Sequence, residues 1–466
     1  MVFSNLFFIF VFLPVSLILY HITPVKLKNF ILTLISLVFF AWGTPKYILF
    51  ILFSIVFNYF GGLEIESEKK SGGSGKIGVI FAAVVNILLL SFFKYWGFLL
   101  SNINAVLGTN FADTGLAAPI GISFFTFQVL SYIFDVYRDK APAQHNIIDF
   151  ACFVSFFPKL MQGPITEYNQ FYSQLKERNH VNVYTFGEGA KLFILGLGKK
   201  MLIADNLAVA YSGISSLSSL STGSAWLGCI FYTLDILFDW TSYSDMALGL
   251  GKMFGFDVGI NFDYPYLSLS VSEFWRRWHM SLNKWFTHYV YFPMGGNRCS
   301  KGKHIRNVMV VWLLTGIWHG SAWNFIFWGI FYGVVLLIEK YLLNDILEKL
   351  PKAIRHIYSM LIVMIGWVFF FSSSLSGAFK WIEKMFLIGA SGVWDSSASY
   401  YLSTNLIILI IAIIGSTKLM QTVSDRLVKK GKTGAIIINL AYVFIIVASI
   451  ACMIGSTNST FLYAQF

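Results

Sequence analysis

The sequence predicts an all-α polytopic membrane protein with about eleven to thirteen transmembrane helices, and three observations carry that expectation. Hydrophobic residues make up 56% of the 466 positions and charged residues only 12%, about half the charged share of an ordinary soluble chain. Apolar runs of about 20 residues, the length that crosses a hydrocarbon core, recur from one end of the chain to the other. The polar stretches between them are too short to fold as a sizeable soluble domain.

Taken in order, the apolar spans fall near 4–21, 28–43, 46–62, 77–100, 118–136, 147–163, 186–212, 224–250, 306–319, 321–339, 354–373, 404–420 and 434–454. The first, Met1–Tyr20, lacks a basic leading region and a small-residue cleavage site, so it reads as a retained helix rather than a removed signal. Several spans are short or broken, as at Ala118-Pro-Ile-Gly121 and Phe157-Pro158. Irregular backbone at membrane depth is tolerated only where protein or a water-filled cavity surrounds it, so these breaks point to a central cavity. Ser71-Gly-Gly-Ser-Gly75 is a short flexible loop, and no internal repeat is evident.

The net charge is +11. It sits in short loops, as membrane orientation requires, and no compact basic, aromatic-interleaved domain exists, so nucleic acid is not an expected partner. Lys26 and Lys28, Lys69, Lys70 and Lys76, Arg138 and Lys140, and Arg426, Lys429, Lys430 and Lys432 form clusters that all fit on the cytosolic side. That choice places both termini, the loop near 101–117, the stretch 373–403 and the tail Gly455–Phe466 outside. The four cysteines, Cys152, Cys229, Cys299 and Cys452, have neither metal nor disulfide-framework spacing.

The segment 252–305 departs from the pattern. Asp257, Asp263, Glu273, Arg276, Arg277, Lys284, Arg298, Lys301 and Lys303 alternate there with Trp275, Trp278, Trp285, Tyr289 and Tyr291. Mixed charge and aromatics suit amphipathic helices at the inner interface. His279 ends the motif Glu273-Phe-Trp-Arg-Arg-Trp-His279. His319 sits in Gly316-Ile-Trp-His-Gly320, after an apolar run of about 13 residues that covers roughly 20 Å of a ~30 Å core. One histidine therefore faces the cytosolic interface and the other lies at mid-to-outer depth. Ionisable groups in the membrane persist mostly where they act, and a neutral buried histidine can take a proton from an attacking hydroxyl.

The neighbouring residues admit a functional and a plainer reading. Trp318 can wall a pocket and Gly320 can let an acyl chain approach; alternatively the Trp-His pair is an interfacial anchor. Trp275-Arg276-Arg277-Trp278 can bind a phosphate-bearing donor through its guanidinium forks, or anchor lipid headgroups. Phe238-Asp-Trp-Thr-Ser-Tyr-Ser-Asp245 is a polar streak inside a span: Asp245 lines a tunnel, or the streak is a helix–helix seam. Pro293-Met-Gly-Gly-Asn297 is a tight turn that also offers Asn297 to a ligand.

At these residues the chain resembles the membrane-bound O-acyltransferases (MBOAT), and within them the branch of the alginate O-acetyltransferase membrane subunit. The resemblance runs through Asn261-Phe-Asp-Tyr-Pro-Tyr266, Glu273 to Leu282, Pro293 to Arg298 and Gly316-Ile-Trp-His-Gly-Ser-Ala322. It extends to Ser123-Phe-Phe-Thr-Phe-Gln128, Asp135-Val-Tyr-Arg138, Gly163-Pro-Ile165, Tyr243-Ser-Asp-Met246, the opening Met1-Val-Phe-Ser4 and the ending Tyr463-Ala-Gln-Phe466. Thr287-His288 and Phe157-Pro-Lys-Leu-Met-Gln162 depart from the branch's usual pattern. The resemblance implies a ring of helices around a thin centre pierced by a tunnel, within one integral-membrane domain: N-terminal helices over 1–117, a catalytic core over about 118–340 and C-terminal helices over 341–466. It implies His319 as the principal catalytic histidine and His279 as its polar partner.

The expected activity is O-acetylation of an extracytoplasmic polysaccharide, such as an exopolysaccharide, an alginate-like polymer or peptidoglycan, in a bacterial cytoplasmic membrane. Acetyl-CoA or another acyl thioester is the expected donor, with no bound cofactor and no metal. The resemblance also implies an SGNH-hydrolase-like extracytoplasmic partner, for which 373–403 and the C-terminal tail are docking surfaces. D-alanyl transfer to teichoic acid from a carrier protein is the alternative nearest in chemistry, and the Pro293–Arg298 turn speaks against it. A polysaccharide flippase would show two similar halves, and a non-catalytic scaffold would tolerate loss of both histidines.

Overall fold

The computed structural model describes residues 2–113, 115–116, 118–455 and 461. Among these every regular element is helical and no strand forms. Seven helices are long and apolar enough to cross a membrane: Val25–Gly43, Pro45–Lys70, Lys76–Leu107, Trp323–Lys349, Lys352–Phe371, Ser396–Gly415 and Lys432–Gly455. Phe8–Ile22 and Ile122–Tyr137 are apolar but shorter. The chain is thus a multi-pass membrane protein. The remaining predicted spans take other forms. The run 147–163 splits into Ile147–Ser155 and Phe157–Leu160, because Phe156 leaves helical geometry and Pro158 follows it. The runs 186–212 and 224–250 lie inside Val183–Ser215, where a π turn (Lys199–Ala204) joins two α-helical stretches, and the 33-residue Thr222–Phe254. Both carry buried charges. The run 306–319 completes a longer helix, Lys301–His319, whose charged first turn is helical too. The tail beyond Gly455, Phe461 apart, lies outside the described residues, as does Met1.

The chain divides into two compact units. The first holds Met1–Phe193 and Ser244–Ile260. Its membrane helices are joined by polar seams: the Asn58 and Asn86 amides exchange hydrogen bonds at 3.1 and 2.7 Å across Ile48–Lys70 and Lys76–Leu107. Such an interhelical bond contributes about 0.6–2 kcal/mol in lipid. The two predicted breaks pack against each other. Gly121 caps Ile122–Tyr137 at φ +76°, and a Cβ there would stand 2.3 Å from the Leu160 carbonyl. The irregular run Met161–Glu167 is buried throughout.

The second unit holds Ile194–Tyr243 and Asn261–Phe466. Its core is aromatic, with Trp240, Trp328, Trp367 and Tyr332 almost wholly buried. Lys301–His319 and Trp323–Ile338 form a tight hairpin. Asn324 ties the start of the second helix to the end of Lys352–Phe371 by donating to Phe369 and Ser372 carbonyls at 3.1 and 2.9 Å. Asp395 caps Ser396–Gly415, accepting from the Ala398 amide at 2.7 Å.

Candidate active site

Two short helices, Val271–Arg277 and Met280–Phe286, are separated by a two-residue break at Trp278 and His279. Ser270 caps the first by accepting from the Glu273 amide at 3.0 Å. Glu339, from the end of the 323–338 helix, accepts from the Val271 and Ser272 amides at 2.7 Å each, satisfying donors that a helix start leaves open. His279 adopts the left-handed conformation, φ +46° and ψ +52°, and caps the second helix. Asn261 grips the far side of the break: its carbonyl accepts from the Met280 amide at 2.9 Å and its side chain from the Ser281 hydroxyl at 2.9 Å.

The tautomer of His279 follows from its cap. Its Nδ1 accepts from the Leu282 amide at 3.3 Å. A backbone amide only donates, so Nδ1 is the bare nitrogen and the neutral ring carries its proton on Nε2. Nε2 meets no partner among the described residues. Burial, with the ring 2% exposed, pushes the pKa down to about 3. His279 is therefore a neutral ring with one uncommitted N–H donor.

His319 closes the helix Lys301–His319 and is 4% exposed. Its ring centroid lies 5.0 Å from Trp318, 5.0 Å from Trp328 and 5.3 Å from Phe370. The indoles of Trp240 and Trp318 touch both histidines: Trp240 lies 5.0 Å from His279 and 6.4 Å from His319, and Trp318 lies 5.8 Å from His279. Both imidazoles line one cavity of about 50 Å³, with Trp275, Trp278, Trp312 and Thr315 among its walls. One water needs about 10–15 Å³, so the cavity has room for a small group beside the two rings. Asn283, an exposed residue, also lines it and marks where it opens. A helix C-terminus favours a cation within its last turn, so the position of His319 suits a ring that becomes protonated during a reaction.

The structure brings His279, His319, Trp275 and Trp278 to this cavity and sets the other candidates apart from its lining. Trp318 packs against both imidazoles from behind. Arg276 is exposed. Arg277 is committed to Glu273 at 2.8 Å and reaches Asp263 at 3.5 Å. Asp245 is half-buried further along Thr222–Phe254, and Asn297 is exposed in a turn whose Met294 and Gly296 carbonyls accept from Asn307 at 3.1 and 3.0 Å. Gly320 serves packing rather than substrate approach: a Cβ there would stand 2.2 Å from the Phe325 ring. Sequence reasoning named Asn261 and Trp240 only as members of motifs and gave no role to them or to Glu339. Glu339 carried a signal, a carboxylate inside an apolar run; the other two gain their meaning only from tertiary contact.

A model of the membrane-bound O-acyltransferase family matches residues 120–376, which include every residue lining the cavity. The chain is 39% identical over 418 residues to a protein of Azotobacter vinelandii named "Probable alginate O-acetylase", covering 89% of this chain and 84% of that one. It is 40% identical over 401 residues to the protein of that name from Pseudomonas aeruginosa, covering 85% and 76%. To the peptidoglycan O-acetyltransferase of Helicobacter pylori it is 35% identical over 428 residues, covering 84% and 81%. A multi-pass chain with this match, and with two histidines on one buried cavity, belongs to the membrane-bound O-acyltransferase family and is an O-acyltransferase.

Proposed function

We propose that the protein moves an acetyl group from a cytosolic thioester, acetyl-CoA or an acylated carrier, to a hydroxyl of an extracytoplasmic polysaccharide in a bacterial cytoplasmic membrane. The observation that carries this reading is the convergence of two buried imidazoles, one with an uncommitted N–H, on a single small cavity. The cavity admits a two-carbon acyl group, and the names of the relatives point to acetyl transfer onto polysaccharides. In the proposed step His319 takes the proton as the hydroxyl oxygen attacks the thioester carbonyl. A C–O bond forms, the C–S bond breaks, and the proton passes from the imidazolium to the departing thiolate. The Nε2–H of His279 hydrogen-bonds the carbonyl oxygen as it gains negative charge. Arg276, exposed beside the cavity-lining Trp275, binds the donor's phosphates in this reading. An extracytoplasmic SGNH-hydrolase-like partner receives or relays the acyl group, docking on the stretch 373–403.

The test compares acetyl-ester content of surface polysaccharides in wild type and His319→Ala cells with equal membrane levels of protein and no second copy. Loss of ester supports the reading and reveals the polymer. Unchanged acetyl ester with reduced D-alanyl ester on teichoic acid would replace it with D-alanyl transfer.

A further inference from the structure

We propose that the segment 418–432, built on the helix Leu419–Val428, is a docking surface for anionic phospholipid headgroups that sets the order of the loop holding His279. Its location comes first. The segment joins two apolar helices, Ser396–Gly415 and Lys432–Gly455, so it lies at a membrane face. Leu419–Val428 buries no residue. Leu419, Met420, Val423 and Leu427 share one side at helical spacing, and Leu419, Met420 and Val423 are 52%, 58% and 40% exposed. An apolar stripe of that kind on a helix between membrane spans lies in the headgroup–acyl boundary.

Charge names the occupant. Lys418, Arg426, Lys429, Lys430 and Lys432 are all exposed and form no ion pair with a described residue, and Asp425 is the sole acid among them. A cluster of four to eight basic residues on an amphipathic helix beside a membrane span binds anionic headgroups.

The helix touches the segment that flanks the candidate site. The Tyr264 hydroxyl donates to Gln421 Oε1 at 3.3 Å, and the Lys418 ammonium lies 5.6 Å from the Tyr264 ring centroid, within cation–π range. Tyr264 sits at φ +43° in the segment that brackets the 278–279 break. The Asp263 amide donates to the Arg277 carbonyl at 3.0 Å, before the break, and the Asn261 carbonyl accepts from Met280 at 2.9 Å, after it. Headgroups that order this helix therefore order Lys418 and Gln421 and, through their contacts, Tyr264, which belongs to the loop that holds His279 in its left-handed conformation.

The effect on transfer rests on the function proposed above; the effect on order does not. The full chain is reconstituted in phosphatidylcholine vesicles with and without phosphatidylglycerol, and amide hydrogen exchange is followed at 261–264 and 280–282 without substrate. Phosphatidylglycerol should slow exchange there about tenfold, and high salt should reverse the effect. Soluble glycerophosphate at equal phosphate concentration should leave exchange unchanged. Arg426→Gln/Lys429→Gln/Lys430→Gln should abolish the lipid response. Tyr264→Leu, which removes both the hydroxyl and the ring, should keep lipid binding but uncouple the loop. Equal exchange in both vesicles, or a full response in the triple variant, overturns the proposal. A lipid-sensitive loop in a protein that transfers no acetyl group under any lipid would leave it standing and overturn the function instead.

Discussion

His279 is held at φ +46°, a conformation that costs a non-glycine residue about 1–2 kcal/mol. Strain of this size persists where the surroundings over-determine it and often marks a functional position. Here a cap to Leu282 and the Asn261 grip on Met280 and Ser281 impose it. Asparagine tolerates the same backbone and caps helices well, but its amide is shorter than an imidazole. His279→Asn should therefore keep thermal stability within about 1 kcal/mol while lowering acyl transfer about 10²–10³-fold, the usual loss for one oxyanion donor. Thermal melts and thioester turnover on the same preparation check this, and retained turnover would reduce His279 to a structural cap. The pH behaviour follows from the same burial. With a folded pKa of about 3 against ~6.5 unfolded, the unfolded state binds the extra proton between those values. Stability is complete above ~6.5 and falls as pH drops through that window. Between pH 5 and 8 the folded ring should not titrate and should keep its Nε2–H tautomer, as nitrogen NMR of labelled histidine would report. An acid limb of activity in that range belongs to another group.

At the scale of elements, the hairpin of Lys301–His319 with Trp323–Ile338 decides where His319 points. The two helices cross at Gly316 and Gly329. A Cβ on Gly316 would stand 2.4 Å from the Phe325 carbonyl, and one on Gly329 would stand 2.3 Å from that of Trp312. Backbone cannot yield as a flexible side chain can, so Gly316→Ala should cost at least about 1–3 kcal/mol and displace the imidazole one turn away, lowering turnover beyond the loss of folded protein. Gly302 is the control on the same helix. Nothing lies within 4 Å of its Cβ position, so Gly302→Ala should be neutral or gain up to about 1 kcal/mol. Equal melting temperatures for the two variants would refute the crossing argument. Helical phase also explains why half of Trp275-Arg276-Arg277-Trp278 reached the cavity. Positions three apart share a face, so Trp275 and Trp278 turn inward together while Arg276 turns out and Arg277 closes onto Glu273.

At the scale of the whole molecule, charge buried away from water has to be paired. Lys200 is almost fully buried, 2.6 Å from Asp239 and 2.9 Å from Asp205. Removing one member of a buried pair leaves an uncompensated ion and costs about 3–5 kcal/mol, whereas removing both can be nearly neutral. Lys200→Met should therefore deplete folded protein from the membrane. Lys200→Met/Asp239→Asn should restore much of it, since Asp205 keeps 25% exposure. Folded yield by gel filtration after detergent extraction reads this directly. The sequence marks both Asp239 and Asp245 in this polar streak and offers Asp245 to a tunnel; the structure buries Asp239 fully in a pair. Its partner is 39 residues away in the chain, and no periodicity connects them.

By itself the sequence determined that the chain is helical and membrane-spanning, because composition and run length are summed properties of the residues. It also determined the two histidines, because an ionisable ring among apolar neighbours stands out wherever it folds. The sequence marked the breaks at 118–121 and 157–158, because Gly and Pro punctuate helices locally; tertiary structure decided what those breaks pack against and where the π turn at 199–204 falls. It decided which polar neighbours line the cavity, because the face a side chain takes depends on helix phase and on distant partners such as Glu339 and Asn261. It also decided the proton's place on His279, because a single backbone amide, that of Leu282, occupies Nδ1 only once the helix it caps has formed.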